Sequence, residues 1–145
     1  MTPEQKYKAS LAAHEKVIGE IRELDKRLDS LSPFELSKLE YMYTKAERHA
    51  WTIAGYFKSQ QKFYEGMAEV SQGTTYKNLR ENESLGKTGT DAQYESRIAK
   101  GNCLVEAGTH EGDYTSWKGF ATSYEGARNS IKDMLKAVGV EGGNQ

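Results

Sequence analysis

From Pro33 onward, side chains of one kind return every three or four residues: Leu36, Leu39, Tyr43, Ala46, Ala50, Ile53, Phe57, Gln60, Tyr64 and Met67. That spacing keeps one face of a helix apolar over many turns, and it predicts a single long helix reaching about Val70. At 1.5 Å per residue such a helix is roughly 55–60 Å long, whereas a compact chain of this size has a radius of gyration of about 15 Å. The expected fold is therefore all-α: an elongated helical subunit with a long central helix and C-terminal helices, oligomerising. Gln60 interrupts the apolar run, and a single polar residue on such a seam commonly fixes register or oligomer state.

Helix starts are written into the sequence as capping boxes. Thr2-Pro3-Glu4-Gln5 offers a hydroxyl cap, proline at the first helical position and an amide three residues on, and Ser32-Pro33-Phe34-Glu35 repeats the pattern with a carboxylate. Leu31 precedes the second cap and is placed to staple onto Leu36. Between the two starts, Val17, Ile21, Leu24, Leu28 and Leu31 form the stripe of an N-terminal helix. Residues 71–90 gather Gly, Ser, Thr and Asn and lose the period, which reads as a loop. Thr90-Asp91-Ala92-Gln93 offers a third cap.

Beyond it a stripe of Tyr94, Ile98, Trp117, Phe120, Tyr124, Ala127, Ile131, Met134 and Val138 is crossed by Gly101, Gly108, Gly112, Gly119 and Gly126. Each mid-helix glycine costs about 1 kcal/mol relative to alanine. Their recurrence predicts either close helix approach or a break, and a break near 107–113 is favoured, with a frayed tail from Gly139. The organisation expected is one helical domain: 1–31 an N-terminal helix, 33–80 a long helix with a basic end, 81–90 a loop, and 91–139 the C-terminal helices.

A net charge of -1 on 145 residues argues against a strongly basic duplex-DNA binder, because non-specific phosphate binding draws on clustered Lys and Arg. Any nucleic-acid site must be local. The single Cys103 excludes an internal disulfide and a Cys-based zinc site. With no apolar run of membrane-spanning length and no signal-like start, a soluble cytoplasmic protein is expected.

Chemistry-bearing motifs are sparse. Gly86-Lys87-Thr88 looks like the end of a phosphate-binding loop, but Glu81 stands where that motif requires a glycine. His14, His49 and His110 lack metal-ligand spacing, and the acid pairs Glu81/Glu83 and Glu111/Asp113 lie in polar segments. No catalytic residue, cofactor or metal site is expected. Trp117-Lys118-Gly119 matches the W-x-G signature of small secreted helical hairpins, although here it falls inside an expected helix.

The stretch 41–64 carries Tyr41, Tyr43, Trp51, Tyr56, Phe57, Phe63 and Tyr64 together with Lys45, Arg48, Lys58 and Lys62. Tyr43, Phe57 and Tyr64 belong to the seam. Rings beside cations suit single strands, since stacking contributes about 1–3 kcal/mol per base. Tyr76, Lys77 and Arg80 repeat the combination at the start of the expected loop. The candidate DNA-binding set is Lys77, Arg80, Tyr76, Lys58, Lys62, Arg48, Lys45 and Trp51. The competing reading is a non-enzymatic coiled-coil adaptor or virion assembly protein whose rings all pack and which binds no DNA.

Two segments resemble the UvsY-type recombination mediators of tailed phages. One is Lys38-Leu39-Glu40-Tyr41, opening a long helix with Trp51 and a basic cluster at Lys77 to Arg80. The other is Asp91-Ala92-Gln93-Tyr94-Glu95, followed by Tyr114, Trp117 and Ala127-Arg128-Asn129-Ser130-Ile131-Lys132. The resemblance covers roughly residues 35–138. It implies an all-helical homo-oligomer, ring-like through its C-terminal helices. It also implies a protein that binds single-stranded DNA and loads a RecA-like recombinase onto strands covered by single-strand DNA-binding protein, with Lys77 and Arg80 contacting DNA.

Overall fold

The computed structural model describes residues 1–82, 86 and 88–143, and among them it is helical throughout, with no strand. Helix α1 spans Pro3–Asp25, a short 3-10 turn spans Leu28–Ser30, α2 spans Pro33–Glu81 and α3 spans Gly89–Gly143.

Both proline-led starts form as written. Thr2 Oγ1 accepts from the Gln5 N–H at 3.1 Å and the Gln5 side chain accepts from the Thr2 N–H at 2.9 Å. Ser32 and Glu35 exchange the same pair of bonds at 3.1 and 3.2 Å. The Ser32 N–H, aided by Arg27 at 2.9 Å, holds the Glu35 carboxyl below its ordinary range.

Four expectations need correction. The N-terminal helix ends at Asp25 rather than at residue 31, and the Leu28–Ser30 turn carries the chain to the second cap. The loop expected over 71–90 is helical as far as Glu81, because Ser, Thr and Gly weaken a helix without ending it once packing holds one face. The cap of α3 is Thr88, not Thr90: Thr88 Oγ1 accepts from the Asp91 N–H at 3.1 Å, and Asp91 Oδ2 accepts from the Thr88 N–H at 3.3 Å. Finally, α3 runs unbroken through 107–113 as one helix, and its helical backbone continues to Gly143. Within the chain itself the glycines on it do not mark close approach either, since a Cβ at 101, 108, 112, 119 or 126 would meet nothing of this chain within 4 Å. Lys87 of the phosphate-loop resemblance, Glu83 of the acid pairs, the centre of the 81–90 loop and the last two residues of the tail lie outside the described residues.

The chain divides into two compact units, Met1–Tyr56 with Thr115–Gln145, and Phe57–Tyr114. In the first, α1, the start of α2 and the end of α3 enclose Val17, Ile21, Leu24, Leu36, Leu39, Met42, Ala46 and Ile131. Tyr7 stacks on Tyr56 with ring centroids 4.3 Å apart, and Arg128 pairs with a half-buried Glu47. In the second unit, the rest of α2 packs antiparallel on the start of α3. The seam here is thin: among the described residues Phe57, Ala68, Ala92 and Ala107 are the buried apolar ones, joined by Gln61 and Ser96. Gln61 rather than Gln60 is the buried polar residue on α2, accepting from Lys58 at 3.4 Å and donating to Glu65 at 2.9 Å. His110 lies against Tyr64 and Phe57, at centroid distances of 5.4 and 6.1 Å.

Candidate nucleic-acid interface

The eight candidate residues do not form one site. Lys45, Arg48 and Trp51 belong to the first unit, whereas Lys58, Lys62, Tyr76, Lys77 and Arg80 belong to the second. Two of the cations are engaged inside the fold. Lys45 lies over the Tyr41 ring at 5.2 Å and Lys58 over the Tyr114 ring at 5.1 Å, contacts worth about 0.5–1 kcal/mol each near the surface. Arg48 is exposed, and Trp51 is 42% exposed on the helix.

The second unit gathers the rest. In an antiparallel hairpin, α2 turns Phe57, Gln61 and Ala68 toward α3, so residues half a turn away must face solvent. Those residues are Ser59, Lys62, Phe63, Gly66, Val70, Gly73, Lys77, Arg80 and Glu81, all of them exposed. The face thus carries three cations, a single acid at the end of α2, and a phenyl ring that is 57% exposed. Among the described residues none of the three cations forms an ion pair, whereas Lys100 is taken by Glu69 at 3.0 Å. Arg80 lies beside the start of α3, its Nη1 3.8 Å from where a Cβ on Gly89 would stand.

At the edge of this face, a groove of about 450 Å³ is lined by Glu69, Gln72, Gly73, Tyr76, Gln93, Ser96 and Arg97. A ring, two amides and a guanidinium converge there. Such a set can stack on a base and hydrogen-bond its edge, while Lys77 and Arg80 meet the backbone. Sequence reasoning missed Phe63, Gln72, Gln93 and Arg97. Phe63 is half-visible in the sequence as a ring off the seam, but Arg97 enters the groove through the pairing of α2 with α3, which no local motif reports.

The first unit holds its titratable groups in packing. His14 Nε2 lies 2.8 Å from Tyr124 Oη, the His14 ring meets the edge of Trp117 at 4.9 Å, and Tyr43 Oη donates to Asp25 at 2.9 Å. Burial lowers the His14 pKa, and burial together with Asp25 raises that of Tyr43. These are groups held neutral for packing, with a groove of about 490 Å³ alongside lined by Leu11, His14, Glu15, Ile18, Arg22 and Trp117. Among the described residues no helix is long and apolar enough to cross a membrane.

No family model matches the chain, and neither the curated proteins nor the solved structures searched give a match.

Proposed function

We propose that the protein binds single-stranded DNA along the outward face of α2 in the second unit and serves as a recombination mediator, loading a RecA-like recombinase onto the strand. The observation that carries the DNA-binding reading is the grouping of Lys62, Phe63, Lys77 and Arg80 on one solvent face, with Tyr76 and Arg97 at its edge. Rings exposed beside free cations suit an unstacked strand better than a duplex, whose bases present no π-face. Near-neutral net charge fits a local, moderate site rather than a duplex-coating one. The mediator role and the recombinase partner come from the resemblance to the UvsY-type family.

Anisotropy of labelled single- and double-stranded oligonucleotides at two salt concentrations tests the binding. The expected result is preference for the single strand, with affinity falling as salt rises. Changing Lys62, Lys77 and Arg80 together to alanine should flatten the slope of log affinity against log salt by about 2, at about 0.7 per phosphate contact on single strands. Absence of binding at low salt would overturn the proposal. The mediator role is read separately, as faster recombinase assembly on a strand coated with single-strand DNA-binding protein.

A further inference from the structure

Among its described residues the second unit leaves more large apolar side chain outside than it buries. On α3, Tyr94 is 68% exposed, Ile98 49%, Leu104 45% and Val105 69%, while the helix turns Ala92, Ser96 and Ala107 toward α2. Helices in water draw most of their stability from burying an apolar face, so an uncovered one of this kind is costly.

The outward face has a regular composition. Tyr94, Ile98, Gly101, Val105, Gly108 and Gly112 follow at steps of four, three, four, three and four, the spacing of a heptad seam, and none is charged. All three glycines stand in open space within the chain itself. Each costs about 1 kcal/mol relative to alanine in an exposed helix. Folding of one chain gives no reason for three on a single face; close approach of another helix does.

The order of the residues says which helix that is. The steps read the same backwards, so the face matches itself when reversed. Setting two copies antiparallel places Tyr94 against Gly112, Ile98 against Gly108, and Gly101 against Val105. Every layer then joins a large side chain to a glycine. On the flanks, Arg97 falls opposite Glu111 of the second copy, and Leu104 meets its own counterpart near the two-fold axis. A parallel pairing would instead stack Tyr94 on Tyr94 and leave glycine facing glycine. Size and charge both select the antiparallel arrangement, and a two-fold contact requires that kind of self-complementarity.

We propose that two copies of the chain pair antiparallel through the outward face of α3 over residues 94–112, forming a two-fold dimer. The contact lies on the helix face turned away from α2, it is two-fold rather than the ring-like assembly that the resemblance implies, and it shares only Arg97 with the groove of the DNA-binding reading.

Sedimentation of the full chain over a wide range of concentration tests it, with an expected mass of twice 16.3 kDa. Gly108→Leu places a large side chain against Ile98 of the second copy, yet in a single chain it meets open space and raises helix propensity. It should abolish the dimer with helix content by circular dichroism retained. Arg97→Glu should weaken the dimer, and Arg97→Glu combined with Glu111→Arg should restore it, a rescue that only this register predicts. A one-chain mass for the natural protein, a dimer that survives Gly108→Leu, or a charge swap that fails to rescue would each overturn the proposal.

Discussion

His14 shows how a single side chain ties packing to pH. Its ring is enclosed by Trp117 and Tyr124, and burial lowers its pKa, with the charge of His49 adding to the effect and Glu15 opposing it. The unfolded chain takes up a proton near the ordinary value of 6.5, whereas the folded chain resists it. Below that value the unfolded state binds more protons, so stability falls as pH drops through 6.5 toward the lowered folded value and is level above it. His49 acts in the same sense, through burial and then the charges of Lys45 and Arg48. The melting temperature should fall between about pH 7.5 and about pH 5.5, and His14→Gln should shrink that fall. An unchanged pH profile in the variant would remove His14 as its source. Nearby, Arg128→Met leaves the half-buried Glu47 without its partner and should cost about 1–3 kcal/mol by thermal denaturation, with Glu47→Gln in the same chain recovering part of the loss.

At the scale of helices, the caps make the sharpest test. Thr88→Ala removes the side chain that accepts from the Asp91 N–H and should destabilise the start of α3 by about 1 kcal/mol, while Thr90→Ala should cost far less. Hydrogen exchange of the amides just after Gly89 reads the difference directly. The two positions also show what the sequence can and cannot disclose. Pro3 and Pro33 pin their helices to one start, so Thr2 and Ser32 are legible to the residue. Thr88 and Thr90 each have a suitable partner three residues on, and nothing local separates them except the better acceptor at Asp91. The same ambiguity governs α3, which carries two stripes at helical spacing. Tyr94 and Ile98 read as seam because they are large, yet the structure turns the smaller Ala92, Ser96 and Ala107 inward. Which face a neighbour covers is decided by the neighbour. For that reason Lys77 and Arg80 stand out from their chemistry alone, whereas Phe63 and Arg97 need the hairpin to reveal where they sit.

For the molecule as a whole, the two units differ in how much holds them. The first encloses Val17, Ile21, Leu24, Leu36, Leu39, Met42 and Ile131, with leucine and isoleucine side chains each contributing about 1.5–3 kcal/mol on burial. Among its described residues the second buries Phe57 and three alanines, and alanine brings too little area to match that. Local opening follows the density of buried apolar contacts, so amides of 57–114 should exchange well before those of α1 and of α2 from Leu36 to Ala50. Dilution gives the measurement a second arm. If two copies cover the outward face of α3, protection over 94–112 should rise with protein concentration, because a contact between chains stabilises by mass action. Protection in the first unit should stay fixed. Equal protection in both units at the lowest concentration, unchanged on concentrating, would show that the alanine seam suffices by itself and that the outward face needs no cover.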